Sequence, residues 1–316
     1  MRHPRVVNSN SDLLSLHSPQ SAASSLVALV VGEVLWDQFP DSTRLGGAPL
    51  NFAVHLKRLG HLPLLVSAVG TDRLGEDARA AIARFGLDTT GLQSTSRFQT
   101  GTAVVCLGPG EQTSFAIARP AAYDAIELYD RDVRQLVVRN PAWVYYGTLF
   151  PSSPRARCVV RQLLAAAPNA RRFYDMNLRP GFESPELIRE LLEQADVVKL
   201  NERELQFVHD HLELPLAPEA FCRAGSKRYG WTAACVTFGS RGCAMLVGDD
   251  YVISPGVPVQ VADPVGAGDA FAAAFVHGLA AKWAAERIAA FANRAGAMVA
   301  GTQGAIPDVV PTEPQP

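Results

Sequence analysis

Short apolar runs alternate with amphipathic segments along most of the chain. Leu26–Val31 is a continuous, valine-rich run that ends at Gly32, a pattern typical of a strand buried on both faces. Pro49–Leu59 has proline at its start and Gly60 just past its end, which predicts a helix. The same patterns predict further strands at Leu64–Val69, Trp143–Tyr146, Arg172–Tyr174, Val197–Leu200 and Ala234–Thr237, and further helices at Glu76–Phe85, Arg155–Ala167, Pro185–Gln194, 269–281 and 284–300. Strands that alternate with helices predict an α/β fold with a mostly parallel central sheet and helices on both faces.

One region breaks this alternation. Gly101–Leu107 and Thr113–Ile117 are two β-type runs around Gly108-Pro109-Gly110, which predicts a hairpin. With residues 36–45, residues 98–122 are expected to form a small β lid outside the main sheet. Ligands of open α/β folds bind beyond the carboxyl ends of the strands, so the lid is expected to cover a site there.

Composition and charge narrow the class of protein. The 316-residue chain is 48% hydrophobic and has a formal net charge of −2, so it has no basic field for nucleic acid or for an anionic membrane. No run reaches the ~18–20 apolar residues that span a bilayer. Five cysteines without a C-x-x-C pair predict buried free thiols in a reducing compartment. We therefore expect a cytoplasmic protein.

The chain is expected to divide into three parts. Residues 1–25 are serine-rich and lack apolar periodicity, which predicts a disordered N-terminal extension. Residues 26–310 carry the alternating pattern and form the predicted domain, and residues 311–316 form a short C-terminal tail.

The stretch Asp263–Ala270 carries the strongest chemical signal. Gly266-Ala267-Gly268 is a turn of small residues ahead of a predicted helix, whose N-terminal N–H groups and partial positive charge suit a phosphate group. Asp269 follows at once. A carboxylate repels phosphate, but it is useful there if it accepts a proton from the nucleophile that attacks the phosphate. Asp269 is therefore a candidate base, and the alternative is that it is a helix N-cap.

Two segments near the first predicted strand offer polar groups to a ligand. Asp37 follows that strand at its carboxyl end, and a carboxylate can accept hydrogen bonds from two adjacent sugar hydroxyls. In the segment from Gly46 to Asn51, two glycines let the backbone approach a ligand, and Asn51 offers both a donor and an acceptor. The alternative is an ordinary turn into a helix with a surface asparagine.

A further polar pair follows the predicted strand Val197–Leu200. Asn201 and Glu204 are three residues apart and share one face if a helix starts there. Oxygen ligands at a strand end suit Mg²⁺ with its waters and a nucleotide. Alternatively, Asn201 is an N-cap and Glu204 completes a capping box, and the two roles can coexist.

Eight short motifs occur in order along the chain. They are Gly-Glu-Val-Leu-Trp-Asp at 32–37, Gly-Gly-Ala-Pro-Leu-Asn at 46–51, Val-Gly-Thr-Asp-Arg-Leu-Gly at 69–75, Thr-Gly-Thr-Ala at 100–103, Asp-Met-Asn-Leu-Arg-Pro at 175–180, Asn-Glu-Arg-Glu at 201–204, Val-Thr-Phe-Gly-Ser-Arg-Gly at 236–242 and Asp-Pro-Val-Gly-Ala-Gly-Asp at 263–269. In this order they resemble the ribokinase-like (PfkB) carbohydrate kinases, and among these the fructokinases.

The resemblance implies a ribokinase-like α/β fold with a small β lid and a role for each matching residue. Asp269 matches the catalytic base, and the backbone of Gly266, Ala267 and Gly268 matches the anion hole for the transferring phosphoryl group. The implied binding residues are Asp37, Gly46, Gly47, Asn51 and Arg179 for the sugar, Asn201, Thr237, Gly239, Asn293 and Gly304 for the nucleotide, Asn201 and Glu204 for Mg²⁺ through water, and Asp263 for a monovalent cation. The helix dipole is expected to keep the Asp269 carboxyl ionised and only weakly basic.

The implied activity is transfer of the γ-phosphoryl group of ATP to a hydroxyl of a small sugar, most simply fructose. ATP and Mg²⁺ are the implied cofactors, and K⁺ is left open. Pro264 stands where the family usually has Thr, and proline removes a hydroxyl and a backbone donor from a cation or nucleotide site. A homodimer through the lid is also implied, for which the exposed β-edge gives a physical reason.

Two alternatives remain open. The acceptor could instead be ribose, 2-keto-3-deoxygluconate or a nucleoside. A non-catalytic sugar-binding or regulatory relative is an alternative of another class, against which the presence of Asp269, Gly266, Gly268, Asn201 and Glu204 argues.

Overall fold

A computed structural model of the chain describes residues 25–107, 113–309 and 311. Most of the predicted N-terminal extension, the predicted turn at 108–110 and nearly all of the predicted tail therefore lie outside the described residues. The secondary structure below refers to the described part of the chain.

Strands in this part of the chain form one large and one small sheet. Their bounds are β1 Val27–Val31, β2 Leu35–Gln38, β3 Thr43–Gly46, β4 Leu62–Gly70, β5 Leu92–Thr95, β6 Gly101–Leu107, β7 Thr113–Ile117, β8 Trp143–Tyr146, β9 Arg171–Asp175, β10 Val197–Asn201, β11 Ala233–Thr237, β12 Gly242–Val247 and β13 Asp250–Pro255. The large sheet has the order β13-β12-β11-β10-β9-β8-β1-β4-β5. Its strands from β5 to β11 pair in parallel, which confirms the predicted mostly parallel sheet.

The far edge of the large sheet differs from the prediction. β12 and β13 pair antiparallel with each other, and β12 pairs antiparallel with β11. The two residues Gly248 and Asp249 join them, and Gly248 has a φ of +59°. A glycine followed by aspartate between two apolar runs is a recognised signal for a tight hairpin, but the predicted strands did not include this pair.

Helices cover both faces of the large sheet, as predicted. Their bounds are α1 Ala48–Arg58, α2 Arg73–Arg84, α3 Asp130–Val137, α4 Pro154–Ala166, α5 Pro185–Gln194, α6 Glu202–Leu212, α7 Pro218–Tyr229, α8 Ala267–Ala280 and α9 Ala285–Ala300. Alternate residues of β1 face opposite ways. Ala28 and Val30 belong to a core with α1, α2, α8 and α9, whereas Leu29 and Val31 belong to a core with α4, α5, α6 and α7.

The small sheet has the order β3-β2-β6-β7. β6 and β7 pair antiparallel over the predicted bounds, and the predicted segment 36–45 contributes β2 and β3. β2 joins the hairpin by parallel pairing with β6. The connections to the rest of the protein are short, because β2 starts soon after β1 and β3 is separated from α1 by Gly47 alone.

The thiols are not all in the predicted environment. Cys222, Cys235 and Cys243 are free and buried, but Cys158 is free and exposed on α4. α4 packs on the sheet with Ala156, Val159 and Leu163, and position 158 lies on its opposite side. None of the helices in the described ranges is long and apolar enough to cross a membrane.

The packing of α7 generates a stability prediction at Gly225. A Cβ atom at this position would lie 1.9 Å from Cζ3 of Trp231, whose Nε1 donates a 3.0 Å hydrogen bond to the carbonyl of Leu192. Gly→Ala in an exposed helix interior stabilises by roughly 0.5–1 kcal/mol. We expect Gly225→Ala to lower the melting temperature instead, because the Trp231 ring cannot move without breaking this bond.

Lys227→Ala provides the matched control, since it introduces alanine on the exposed side of the same helix. Its stability should stay within about 0.5 kcal/mol of the unsubstituted protein. Thermal unfolding followed by circular dichroism measures both variants. A Gly225→Ala protein as stable as the Lys227→Ala protein would contradict the described contact between α7 and Trp231.

Candidate active site

A cavity of about 720 Å³ lies between the large sheet and the small sheet. Leu35, Asp37, Ala103 and Ile117 line it from the small sheet. Residues that follow β1, β9 and β11, together with the first turn of α8, line its other side. Parallel strands end at one edge of a sheet, so the fold itself brings these distant segments together.

This cavity gathers one half of the predicted site residues. Those that line it are Asp37, Gly47, Asn51, Arg179, Gly239, Gly266, Gly268 and Asp269. The remaining predicted residues are not part of its described lining, and they are Gly46, Asn201, Glu204, Thr237, Asp263, Ala267, Asn293 and Gly304.

Asp269 lies in the first turn of α8, and its side chain crosses to α1. Its Oδ2 accepts a hydrogen bond of 2.8 Å from Nδ2 of Asn51. The N-cap of α8 is Gly266, and no side chain caps the helix there. The interpretation of Asp269 as an N-cap is therefore wrong, because its carboxyl is directed at another helix.

The protonation of Asp269 is governed by burial. The residue is 8% exposed, and desolvation raises the pKa of its carboxyl to about 7, with the Asp175 carboxylate acting in the same direction. The Asn51 hydrogen bond and the charges of Lys199 and Arg179 lower this pKa by less. The expectation that Asp269 stays ionised and only weakly basic is therefore wrong, because loss of solvation raises the pKa of its carboxyl. A carboxyl with a pKa near neutrality is well matched to accept a proton.

The turn before α8 requires small residues. Gly266 has a φ of +83°, and a Cβ atom there would lie 2.5 Å from Cα of Ala305. Gly266 and Gly268 both line the cavity, with Ala267 between them at the start of α8. The N–H groups of Ala267 and Asp269 are directed at the carbonyls of Pro264 and Gly266, at 3.4 and 3.1 Å. The partial positive charge of the helix start and the small residues still favour an anion, so the turn is a candidate phosphate site.

The opposite wall carries two buried carboxyl groups, Glu33 and Asp37. Burial raises the pKa of Glu33 to about 7 and that of Asp37 to about 6. The pair Gly46-Gly47 makes room for them, because a Cβ atom on Gly46 would lie 2.5 Å from Oδ2 of Asp37. A Cβ atom on Gly47 would lie 2.5 Å from the carbonyl oxygen of Glu33, and its φ is +107°.

Arg179 acts electrostatically on both walls. It lines the same cavity as Glu33, Asp37 and Asp269, and its positive charge lowers the pKa of these three carboxyls. Its Nη1 donates a 2.6 Å hydrogen bond to Oδ1 of Asn177, which holds the guanidinium at the end of β9. Arg179 can therefore contact either an acceptor molecule or a phosphate group in the cavity.

The side-chain amide of Asn51 has a hydrogen-bond partner for its nitrogen but none for its oxygen among the described residues. Its Nδ2 donates to Asp269, but its Oδ1 is buried and accepts no hydrogen bond among the described residues. A buried acceptor without a donor is costly. Since Asn51 lines the cavity, a hydroxyl group of a bound molecule would supply the missing donor.

Asn201 and Glu204 form the capping box of α6, as the alternative interpretation predicted. Oδ1 of Asn201 accepts from the N–H groups of Arg203 and Glu204, and the Glu204 carboxylate accepts from the N–H groups of Asn201 and Leu178 at 2.8 Å each. In the described ranges, no group of three or more His, Cys, Asp or Glu residues is placed to hold a metal ion. A metal role for this pair stays a prediction.

The other residues predicted to bind nucleotide make internal hydrogen bonds. Thr237 Oγ1 donates to the Leu200 carbonyl at 3.4 Å. Nδ2 of Asn293 donates to the Pro255 carbonyl at 3.0 Å, which ties α9 to the end of β13. The N–H of Gly304 donates to Oδ2 of Asp263 at 3.0 Å. Their contacts with a nucleotide stay predictions.

A buried ion pair beside Asp269 was missed by sequence reasoning. Lys199 Nζ donates to Oδ1 of Asp175 at 2.8 Å, and both side chains are almost fully buried. A Cβ atom on Gly268 would lie 3.6 Å from Lys199 Nζ, so the ammonium group is next to the turn of α8. The available signal was a lysine inside the apolar strand β10, where a charge needs a partner. Glu33 was also missed, although it directly follows β1 and Gly32.

Comparison with known proteins identifies the family. The family model described as pfkB family carbohydrate kinase matches residues 24–313. The chain belongs to this family. This carbohydrate kinase is therefore a phosphotransferase that acts on an alcohol group, and the predicted resemblance and ribokinase-like fold are confirmed.

Similar proteins include named fructokinases. The kinase is 30% identical to fructokinase-1 of Zea mays over 284 residues, which are 85% of this chain and 85% of that protein. A solved fructokinase of Xylella fastidiosa with bound ATP matches with a TM-score of 0.77 and 25% identity, over 89% of this chain and 94% of that chain. The 2-dehydro-3-deoxygluconokinase of Thermotoga maritima has a TM-score of 0.80 but 17% identity, over 90% and 96% of the two chains, which shows the fold alone.

The raised pKa of Asp269 predicts that this carboxylate destabilises the kinase. Its pKa is about 7 when folded against an ordinary 3.8, so the folded protein binds more protons between these values and stability falls as pH rises through this window. Asp269→Asn removes the charge. We expect the variant to melt at a higher temperature than the unsubstituted kinase at pH 8, with the difference shrinking as the pH approaches 5.

Differential scanning calorimetry across this pH range measures the difference directly. Glu286→Gln is the matched control, because Glu286 is an exposed acid in the first turn of α9. Its melting temperature should follow that of the unsubstituted kinase at every pH. An Asp269→Asn variant that is less stable than the unsubstituted kinase at pH 8 would rule out burial as the main influence on Asp269.

Proposed function

We propose that this kinase transfers the γ-phosphoryl group of ATP to a hydroxyl of a neutral sugar, and that the sugar is fructose, giving fructose 6-phosphate. The observation that carries the proposal is the buried Asp269 carboxyl, bonded to Asn51 and adjacent to the N-terminal turn of α8. A base and an anion site within one cavity are what transfer of a phosphoryl group to an alcohol requires. The fructokinase relatives support the choice of sugar.

Asp269 acts as the base in the proposed reaction. The hydroxyl oxygen of the sugar bonds to the γ-phosphorus, its proton passes to Asp269, and the bond from the γ-phosphorus to the oxygen of ADP breaks. Asn51 holds the carboxyl in place through its Nδ2, and its Oδ1 accepts a hydrogen bond from the sugar. Phosphoryl transfer needs mainly positioning and charge neutralisation, which the turn at Gly266 to Gly268 provides.

The charge of the cavity favours a neutral acceptor. Glu33, Asp37 and Asp269 present carboxyl groups to it, and each can accept hydrogen bonds from sugar hydroxyls. A sugar acid would bring a further carboxylate close to these groups, and like charges at short range are unfavourable. The cavity therefore suits a polyhydroxy compound without a charge.

A sugar acid such as 2-keto-3-deoxygluconate is the second candidate, and Arg179 is the observation that favours it. Its guanidinium lines the cavity and could pair with a carboxylate in a bidentate manner. The same guanidinium already acts on three carboxyl groups of the protein, so the neutral sugar is preferred.

Mg²⁺ fits this proposal through water-mediated contacts. Both oxygens of Glu204 accept N–H groups, yet each carboxylate oxygen keeps a second lone pair for water. Asn201 and Glu204 would hold the hydrated ion, and the ion would neutralise charge on the ATP phosphates. Direct ligation is disfavoured, because Glu204 is 5% exposed and already bonded on both oxygens.

The role of Asp269 predicts a large loss of turnover in Asp269→Asn. Removal of a general base costs ~10²–10⁴-fold in rate. We expect kcat for fructose to fall by this amount, while the dissociation constant of ADP, measured by titration calorimetry, changes little. Glu286→Gln again serves as the control and should keep full activity. Comparable sugar-dependent turnover in Asp269→Asn and the control would exclude Asp269 as the base.

The charge of the cavity and the likeness to fructokinases together predict the order of acceptors. With Mg²⁺ and ATP, we expect kcat/KM to be highest for fructose and lower for ribose, 2-keto-3-deoxygluconate and adenosine. Formation of ADP in a coupled assay measures all four acceptors under the same conditions. A higher kcat/KM for the sugar acid would favour the second candidate. Binding of fructose in calorimetry without ADP formation would support the non-catalytic alternative.

A further inference from the structure

Asp263 presents a buried negative charge beside the candidate phosphate site. The residue is 7% exposed and directly precedes Pro264, Val265 and Gly266, which all line the cavity. Its Oδ1 accepts from the N–H of Val265 and its Oδ2 from the N–H of Gly304, both at 3.0 Å. The bond from Gly304 holds the loop before α8 against the loop after α9.

A carboxylate at this place needs a compensating charge. The negative charge of Asp263 would weaken the positive field at the start of α8, and it would repel anionic phosphates that bind nearby. A buried charge without a partner is also unfavourable in itself. A monovalent cation is one way to supply the compensation, and that is the role the sequence resemblance implies for Asp263.

Arg44 of β3 supplies the positive charge. Its Nη1 donates to Oδ2 of Asp263 at 2.7 Å, and its Nη2 donates to Oε1 of Gln303 at 3.4 Å. The guanidinium carbon lies 4.6 Å from the centre of the Phe39 ring, which contributes a cation–π contact. Three contacts therefore hold the guanidinium against Asp263, although the Arg44 side chain is 35% exposed.

With Arg44 in place, the residues around Asp263 do not fit a free monovalent ion. K⁺ is bound by several oxygen atoms that replace its hydration shell. Oδ2 of Asp263 already accepts from Arg44 and Gly304, and the N–H of Ala267 is directed at the Pro264 carbonyl at 3.4 Å. Pro264 itself has no hydroxyl to offer. A cation next to Asp263 would also be repelled by the guanidinium.

We propose that the Arg44 guanidinium replaces a monovalent cation at Asp263, so that this kinase does not depend on K⁺. Only the kinetic test of this inference rests on the proposed function, because it requires an acceptor that the kinase phosphorylates. Arg44 is a positioning residue: it neutralises Asp263 and thereby preserves the field at the start of α8. Arg44 is also the cross-strand partner of Asp37, so one side chain links the cavity wall that carries Asp37 to the loop that precedes Gly266.

The inference is tested by comparing cations at constant ionic strength. Unsubstituted kinase, Arg44→Met and the exposed control Arg84→Met are assayed in chloride salts of K⁺, Na⁺ and tetramethylammonium. We expect the unsubstituted kinase and the control to differ by less than about twofold in kcat/KM between salts. Loss of a charged hydrogen bond predicts a fall of ~10–100-fold for Arg44→Met in tetramethylammonium, and K⁺ should recover most of it.

Two further measurements separate this inference from the proposed function. The melting temperature of Arg44→Met should rise on addition of K⁺ relative to tetramethylammonium, whereas that of the unsubstituted kinase should not. This readout does not depend on any sugar being phosphorylated. The double variant Arg44→Met/Asp263→Asn, which removes both charges, should lose the response to K⁺.

Specific outcomes overturn the inference. Activation of the unsubstituted kinase by K⁺ of about fivefold or more means that a cation site exists beside Arg44. An Arg44→Met protein whose activity and melting temperature both ignore K⁺ means that Arg44 only packs the loop. If no acceptor is phosphorylated at all, the proposed function fails, while the melting temperatures still decide the role of Arg44.

Discussion

The hydrogen bond between Asn51 and Asp269 is the contact on which the site depends. It joins two residues 218 positions apart and connects α1, which follows the small sheet, to α8, which starts the candidate phosphate site. Both helices belong to the same hydrophobic core, so the packing of Phe52, Val54, Phe271 and Phe275 sets the distance between the two walls. The position of an acceptor relative to a phosphoryl group is thus determined by ordinary core packing.

Burial raises the pKa values of the carboxyl groups in the site, and it also makes their charged forms unfavourable for stability. Four carboxyl groups, those of Glu33, Asp37, Asp175 and Asp269, lie in or beside the cavity with little exposure. Lys199 and Arg179 compensate part of this charge, but the pKa values of Glu33 and Asp269 still reach about 7. A fold that needed only stability would pair or remove such groups, so their retention is typical of a functional site.

Much of the fold was predictable because its strands and helices are short, regular and bounded by glycine or proline. β8, α5, β6 and β7 were predicted with their observed bounds. α3 and α7 were not predicted, and α6 was foreseen only as the helix that begins at Asn201 if that residue is an N-cap. The strands β12 and β13 were not predicted, because a tight turn joins them directly and no helix lies between them.

The site was predictable as a set of residues but not as a set of contacts. Motifs placed Asp37, Asn51, Arg179 and Asp269 at strand or helix ends, and the cavity collects all of them. The pKa of Asp269 could not be inferred from its neighbours along the chain, because the burial that raises it comes from distant elements. The pairing of Arg44 with Asp263 likewise spans 219 positions and has no local signature.

The short connections around β2 and β3 place a limit on how this protein can vary in length. β1 leads into β2 through Gly32, Glu33 and Val34, and β3 leads into α1 through Gly47 alone. One inserted or deleted residue in β2 would turn Asp37 to the opposite face of the small sheet. The segment between the first strand and the first helix therefore has a fixed length. Related proteins can vary here by exchanging side chains, whereas insertions and deletions would displace Asp37 from the cavity.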